Sequence, residues 1–276
     1  MSSVGSQASR SAAGRWFIAP VRRPRPRWRL VCFPYAGAGA SIYFAWAKYF
    51  AQRDIEVWNI QYPGRESRLS DPALREFSAM IEQLTAAVQS LEIPEIPLAF
   101  FGHSMGAVLA YETACALRRQ NRRAPAALFL SGRNAPSHRR APPRLHDLPP
   151  AELLDAVAEF GNLSAAIRNE PELIELLMPA LRADFAMLYD YHHTWDAGQG
   201  MHLSCPISVF GGESDPWTET AGLGDWRQVT DGRFSLEVFS GGHFFINDHR
   251  QAIWQAIEQD LNRLENERTG PSGAQS

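Results

Sequence analysis

The chain has 276 residues, of which 45% are hydrophobic and 21% are charged, and its formal net charge is -3. This composition is ordinary for a globular protein, and the length is sufficient for one large α/β domain. The weakly acidic charge balance argues against a nucleic-acid partner. No stretch approaches the roughly 20 apolar residues of a membrane span, and no secretory signal opens the chain, so we expect a cytoplasmic protein.

From about residue 28 the chain alternates short apolar runs with longer amphipathic ones. This alternation is typical of βαβ units around a mostly parallel sheet. The predicted strands cover 29–33, 56–60, 98–102, 126–131, 207–211 and 235–239, and the predicted helices cover 42–51, 74–91, 106–119 and 251–267. We expect one domain over 28–268, with flexible tails at 1–27 and 269–276.

One connection is much longer than the others. Roughly 75 residues separate the fourth and fifth predicted strands, where a few residues and one helix would suffice. Helical patterns at 150–160, 171–178 and 181–191 predict a helical insertion over about 136–203. It could cover an active site as a lid, or it could only pack against the sheet.

The segment 102–106 reads Gly-His-Ser-Met-Gly and lies between a predicted strand and a predicted helix. A serine with glycine at both second neighbours in this context is typical of a nucleophile elbow. The glycines are needed because the turn brings strand and helix so close that a Cβ would collide. Ser104 is therefore the candidate nucleophile.

A serine nucleophile needs a base and an acid to orient that base. In the fold that carries a nucleophile elbow of this kind, the acid precedes the base along the chain. His243 follows the last predicted strand and is the candidate base, with His249 as the alternative. Asp215 follows the preceding strand and is the candidate acid, with Glu213 as the alternative. His103 is expected to point away from its neighbour and to be structural.

An oxyanion would need two backbone donors. The N–H of Met105, directly after the nucleophile, is the first candidate, and the loop after the first predicted strand should supply the second. That loop, 33–40, is rich in small residues. A phosphate cradle is the alternative for its glycines, but no phosphate-binding signature follows them.

Four sequence blocks together resemble the type II thioesterases that accompany polyketide synthases and nonribosomal peptide synthetases. They are 33–37 (Phe-Pro-Tyr-Ala-Gly), 61–66 (Gln-Tyr-Pro-Gly-Arg-Glu), 102–107 (Gly-His-Ser-Met-Gly-Ala) and 241–245 (Gly-Gly-His-Phe-Phe). The resemblance implies an α/β-hydrolase fold with a mobile lid, and Ala36 as the second oxyanion donor. It also implies an editing enzyme that hydrolyses acyl groups from the phosphopantetheine arm of acyl or peptidyl carrier proteins.

Further expectations concern binding. The candidate acyl-binding side chains are Tyr35, Phe185, Leu188, Tyr189 and Phe244, although those at helical spacing could equally form the core of the lid. The candidates for docking an acidic carrier protein are Arg65, Arg68, Arg139, Arg140 and Arg144, with solvated surface charge as the alternative. We expect a monomer without cofactor.

The three cysteines, Cys32, Cys115 and Cys205, are too scattered for a metal site or a disulfide framework, and we expect buried thiols. Two other functions share the catalytic residues. A free-standing esterase or lipase would act on small oxygen esters, and a non-catalytic module would bind acyl carriers without turnover. The complete serine, histidine and aspartate set argues against the second.

Overall fold

A computed structural model describes residues 14–91, 95–138, 142–159, 170–194 and 202–269. Its centre is a seven-stranded sheet in the order β1-β3-β2-β4-β5-β6-β7. The strands are β1 (Phe17–Ile18), β2 (Trp28–Phe33), β3 (Ile55–Ile60), β4 (Leu98–His103), β5 (Ala127–Ser131), β6 (Ile207–Gly212) and β7 (Phe234–Phe239). All neighbours pair in parallel except β1, which is antiparallel to β3. The predicted mostly parallel sheet is confirmed.

Eight α-helices lie in the described part of the chain. They are α1 (Phe44–Ala51), α2 (Phe77–Gln89), α3 (Met105–Arg119), α4 (Pro150–Glu159), α5 (Pro171–Thr194), α6 (Thr220–Gly224), α7 (Phe245–Asp248) and α8 (Arg250–Thr269). Short 3-10 turns occupy Ala40–Tyr43, Glu66–Arg68, Leu145–Asp147 and Asp225–Val229. The four helices predicted outside the insertion are present, with ends shifted by a few residues.

The sheet is covered on both faces, which explains why the central strands β2, β4 and β5 are buried along their whole length. Successive residues of a strand point to opposite faces, so Phe100 and Phe101 of β4 join different hydrophobic clusters. The Phe100 cluster includes residues of α2 and α3, and the Phe101 cluster includes residues of α1 and α8. The helices on the two faces keep the sheet in place. Its carboxyl edge carries the loops that contain Ser104, Asp215 and His243.

The insertion forms two helices in its described part, α4 and α5, which we call the lid helices. They meet in a small cluster of Leu145, Leu153 and Leu181. The prediction of separate helices at 171–178 and 181–191 is wrong, because α5 continues through Pro179. A single proline removes one backbone donor without necessarily ending a helix. The remainder of the predicted insertion, at 139–141, 160–169 and 195–201, lies outside the described residues.

The structure also corrects the predicted tail over 1–27. Phe17 pairs with Ile60 to add an edge strand, and the main-chain carbonyl of Trp16 accepts a hydrogen bond from Gln61 N–H at 2.9 Å. Both aromatic side chains are buried. Pro20, Pro24 and Pro26 follow this short strand in the sequence and do not interrupt it. Residues 1–13 and 270–276 lie outside the described part, and the other domain limits stay predictions.

The three cysteines are free and buried, as predicted. Burial raises the pKa of Cys115 and of Cys205 to about 12, so these thiols stay protonated. No described helix is both long and apolar enough to cross a bilayer.

Candidate active site

Ser104 lies at the turn between β4 and α3. Its backbone conformation is one that residues other than glycine rarely adopt. Its φ is 55° and its ψ is -116°. The Ser104 N–H donates to the carbonyl of Ser131 at 2.8 Å, which ties the turn to β5. Backbone strain of this kind persists only where the surrounding structure enforces it. The turn therefore holds the hydroxyl of Ser104 at the carboxyl edge of the sheet.

The two glycines around this turn are required by close packing. A Cβ built on Gly102 would lie 2.1 Å from the carbonyl oxygen of Gly106, and one on Gly106 would lie 2.0 Å from that of Phe33. Both neighbours are backbone atoms that cannot turn aside. The collision expected from the sequence is thus present at both positions.

His243 and Asp215 come together after β7 and β6. Their side chains are joined by a hydrogen bond of 2.8 Å between Nδ1 of His243 and Oδ2 of Asp215. The histidine side chain is 3% exposed and the carboxylate is 0% exposed. The second carboxylate oxygen accepts the N–H of Trp217 at 2.9 Å. Both oxygens of Asp215 are engaged, so the imidazole ring has a fixed partner.

The alternative acid and base lie elsewhere. Glu213 is exposed to solvent, although it is only two residues from Asp215. His249 is also outside the site, because its Nε2 interacts with the carbonyl of Ser240 at 2.9 Å. Of the candidates raised by the sequence, the structure pairs Asp215 with His243.

His103 is buried directly beneath the site. Its ring centroid lies 5.0 Å from that of His243, and its Nδ1 is 2.9 Å from the hydroxyl of Ser131. Burial, and secondarily the proximity of His243, hold the pKa of His103 well below its usual value. A neutral His103 adds no positive charge to the site, which agrees with a structural role.

Two cavities meet at Ser104 and His243. The first has a volume of about 280 Å³ and runs from the loop after β5 to Leu188 and Tyr191 of α5. The second has a volume of about 370 Å³ and lies between the loop after β2 and the lid helices. Phe185 lines both cavities. A substrate whose reacting carbon is at Ser104 can therefore extend in two directions.

The candidate acyl-binding residues divide between these cavities. Tyr35 and Phe244 line the second cavity, Leu188 lines the first, and Phe185 is common to both. Tyr189 lines neither, and its inclusion was wrong. Its ring lies 5.2 Å from the ring of His146 and 5.3 Å from the guanidinium carbon of Arg144. Neighbouring helical residues are rotated by about 100°, so Leu188 and Tyr189 face different surroundings.

The loop after β2, residues 34–39, lines the second cavity together with Ser104; we call it the β2 loop. Ala36 lines the second cavity, and Met105 is the first residue of α3. Amides in the first turn of a helix have no partner inside the helix. The two predicted oxyanion donors therefore belong to the segments that flank Ser104.

The β2 loop is anchored by the segment after β3 and by the lid. The Gly37 N–H donates to Asp184 of α5 at 2.8 Å, and the Ala40 N–H donates to Gln61 at 3.2 Å. Gly37 has a φ of +78°, and a Cβ there would lie 2.9 Å from Leu181 Cδ1. Alanine at this position would be strained by both backbone and packing.

Arg65 is the main anchor between the segment after β3 and the lid. It does not lie on the surface, where a residue that docks a carrier protein would have to be. Its side chain is 2% exposed and forms two hydrogen bonds with the buried carboxylate of Asp184, at 2.6 and 2.9 Å. Burial would lower the pKa of Arg65, but the charge and hydrogen bonds of Asp184 raise it above its usual value. The proposal that Arg65 contacts a carrier protein is therefore wrong.

The other docking candidates differ among themselves. Arg68 is held by Asp71 at 2.8 Å and lies over the ring of Trp16. Arg144 is exposed and pairs with Asp147 at 2.7 Å. Arg139 and Arg140 lie outside the described residues. Of the three candidates that the structure describes, only Arg144 is placed on the surface as a docking role needs.

Sequence reasoning missed Asp184. The sequence does contain a sign that Asp184 is buried. It lies three residues after Leu181 and four before Leu188, which is the spacing of the apolar face of a helix. A carboxylate on such a face needs a buried cation, and Arg65 was available in a segment already singled out. Among the described residues, no group of three His, Cys, Asp or Glu side chains could hold a metal ion.

Comparison with known proteins places this geometry in context. The family model "Thioesterase domain" matches residues 28–261. The chain is 34% identical over 251 residues to the gramicidin S biosynthesis protein GrsT of Aneurinibacillus migulanus, covering 91% of this chain and 95% of that protein. It is 35% identical to thioesterase PikA5 of Streptomyces venezuelae, covering 91% and 85%.

A solved structure agrees with these relatives. The type II thioesterase BorB from the borrelidin biosynthetic cluster superposes with a TM-score of 0.76 at 31% identity, covering 90% of this chain and 97% of that one. The α/β-hydrolase fold expected from the sequence blocks is confirmed.

Proposed function

The chain belongs to the thioesterase family, and from this premise we propose that it is an editing enzyme of polyketide or nonribosomal peptide biosynthesis. It would hydrolyse aberrant or stalled acyl groups from the phosphopantetheine arm of acyl or peptidyl carrier proteins. The single observation that carries the catalytic part is the buried hydrogen bond between His243 and Asp215 at a cavity shared with Ser104.

The first half of the reaction forms an acyl-enzyme. Nε2 of His243 takes the hydroxyl proton of Ser104 while the oxygen attacks the thioester carbonyl. The carboxylate of Asp215 accepts the Nδ1–H and stabilises the imidazolium that results. When the tetrahedral intermediate collapses, the carbon–sulfur bond breaks, and His243 gives its proton to the departing pantetheine thiolate.

The second half regenerates the enzyme. His243 takes a proton from water as the water oxygen attacks the acyl-serine, and then returns a proton to the oxygen of Ser104 as the acid leaves. The N–H groups of Met105 and Ala36 would hold the oxyanion of both intermediates, because charge develops there at each step. No cofactor is needed for this sequence of proton transfers.

The dimensions of the site favour a substrate in two parts. An acyl group and a pantetheine arm extend in different directions from the reacting carbon, and two cavities extend from Ser104. A carrier-protein partner, a monomeric state and a cytoplasmic location belong to the same proposal.

The test is hydrolysis of a panel of acyl groups loaded on a holo carrier protein. Ser104→Ala should reduce kcat by about 10⁴- to 10⁶-fold, as in other serine triads. Ser214→Ala is the matched control, because Ser214 is exposed and lies on the loop that carries Asp215; it should keep normal turnover.

Three results would overturn the proposal, each in a different way. Equal turnover by the Ser104→Ala variant would remove the catalytic mechanism. A clear preference for a matched oxygen ester over the carrier thioester would indicate an esterase. Binding of the acyl carrier without hydrolysis, together with no labelling of Ser104 by a fluorophosphonate, would indicate a non-catalytic module.

A further inference from the structure

Arg133 lines the first cavity together with Ser104 and His243. It follows β5 by two residues, and β5 lies in the sheet between β4, which leads to Ser104, and β6, which leads to Asp215. The carboxyl ends of parallel strands share one edge, so Arg133 emerges between the segments that carry the nucleophile and the acid. The catalytic mechanism above does not use it.

The backbone around Arg133 is firmly held. The carbonyl of Arg133 accepts a hydrogen bond from Nε1 of the buried Trp226 at 2.7 Å. The preceding N–H, of Gly132, donates to the carbonyl of Phe210 at 2.9 Å. A Cβ on Gly132 would lie 2.4 Å from the ring of His103. The position from which the arginine side chain starts is therefore fixed by both neighbouring strands.

The guanidinium has no counter-charge in the described part of the chain, where it makes neither a hydrogen bond nor an ion pair. Burial lowers the pKa of Arg133, and the only opposing influence is the hydroxyl of Tyr191. That hydroxyl donates to Glu112 at 2.9 Å, and burial raises the pKa of Tyr191, so it stays neutral. Arginine remains charged even when withdrawn from water.

Arg133 is half-buried, and two fully buried arginines provide an internal comparison. Arg29 is 3.0 Å from the carboxylate of Glu56, and Arg65 is 2.6 Å from that of Asp184. Buried charges in proteins are normally paired in this way, because isolation from water is costly. Arg133 differs from both because it lines the cavity at Ser104 and has no carboxylate partner in the described part of the chain.

We propose that Arg133 binds an anionic group of the substrate in the first cavity. This rests on the proposed thioesterase function. Two parts of a carrier-bound thioester can supply such a group, namely a carboxylate at the far end of a dicarboxylic acyl chain or the phosphate of the phosphopantetheine arm. The planar guanidinium binds either group through two parallel N–H···O hydrogen bonds.

The experiment uses two pairs of synthetic thioesters with the full chain. The first pair is butyryl- and malonyl-N-acetylcysteamine, which differ in the acyl carboxylate and carry no phosphate. The second pair is butyryl-pantetheine and butyryl-phosphopantetheine, which differ only in the phosphate. For each pair the ratio of kcat/KM for the anionic substrate to that for the neutral one is compared between the wild-type protein and Arg133→Gln.

The ratio should fall at least 10-fold in one pair and stay close to the wild-type value in the other. A fall in the first pair assigns the anion to the acyl chain, and a fall in the second assigns it to the phosphopantetheine arm. Arg133→Lys keeps the charge but not the paired donors. Its kcat/KM ratio should lie between those of the wild-type protein and Arg133→Gln. Arg227→Gln, an exposed arginine next to Trp226, is the control and should leave both ratios unchanged.

Two results would overturn this inference. One is an unchanged ratio in both pairs, and the other is an equal loss on all four substrates, which would show a structural role only. If Arg133→Gln does not fold, Arg133→Lys alone decides, since a selective loss on one anionic substrate is still required. Failure of the thioesterase proposal is recognised separately, because the wild-type protein would then hydrolyse none of the four thioesters.

Discussion

Asp184 on the lid helix α5 accepts hydrogen bonds from two parts of the protein, the guanidinium of Arg65 and the N–H of Gly37. One buried carboxylate thus joins the lid, the segment after β3 and the β2 loop. The β2 loop carries Ala36, whose N–H is the proposed second oxyanion donor. The position of the lid helix and the geometry of the oxyanion site are therefore coupled through this carboxylate.

Asp184→Asn should reduce both stability and turnover. It leaves the guanidinium of Arg65 buried without a full counter-charge, which we expect to cost about 3–5 kcal/mol in the free energy of unfolding. The β2 loop also loses its charged anchor at Gly37, so kcat should fall by about 10- to 100-fold. Urea denaturation and steady-state hydrolysis measure the two effects, and Glu175→Gln, an exposed carboxylate on the same helix, is the control.

A double variant separates the two effects. Replacing the pair by apolar residues, Arg65→Met with Asp184→Leu, removes the buried charges together and should recover much of the stability. It does not restore an acceptor for the Gly37 N–H, so kcat should remain low. Full recovery of turnover along with stability would mean that the ion pair has no positioning role in the reaction.

Asp215→Asn tests the assignment of the acid. The variant keeps the size of the side chain but offers His243 a neutral amide in place of the carboxylate. Because the carboxylate fixes the imidazole tautomer and stabilises its charged form, kcat should fall by roughly 10²- to 10⁴-fold. Glu213→Gln is the matched control, since Glu213 is exposed, and it should keep normal turnover. The opposite pattern would transfer the role of acid to Glu213.

The parts of this protein that local sequence patterns predict well are those with local causes. The buried strands are predicted by their apolar runs, and the turn at Ser104 is predicted because Gly102 and Gly106 are demanded by backbone atoms within the same strand–turn–helix unit and the adjoining β2 segment. Outside the insertion, the lengths of strands and helices follow from the same patterns to within a few residues.

The parts that could not be predicted depend on distant partners. Phe17 forms an edge strand because β3 offers an unpaired side, and its ring packs edge-on against Trp58 at 5.7 Å. Arg65 is buried because Asp184, 119 residues later in the chain, supplies its charge. An arginine in a polar segment has the same local signature whether it is solvated or paired, so its burial is fixed only by the tertiary fold.

Glu56→Gln should flatten the dependence of stability on acid pH. The carboxylate of Glu56 is 0% exposed and accepts hydrogen bonds from the side chains of Trp58, Arg29 and Arg22 at 2.7, 3.0 and 2.9 Å. Burial alone would raise its pKa, but these donors, with the Arg23 N–H, outweigh burial and lower the pKa below the usual value. The stabilisation is therefore present above the unfolded-state pKa, about 4.3, and is lost as the pH falls through the lower folded-state value.

The measurement is the free energy of urea unfolding between pH 7 and pH 3.5. The variant should already be less stable at pH 7, by about 3–5 kcal/mol, because Arg29 is buried and loses its carboxylate. Below pH 4.3 the wild-type protein should lose stability more steeply than the variant, since only the wild type must take up a proton at this site on unfolding. Glu82→Gln, an exposed glutamate on α2, should keep the wild-type slope. Identical slopes for the wild type and Glu56→Gln would show that Glu56 has the same pKa in the folded and unfolded states.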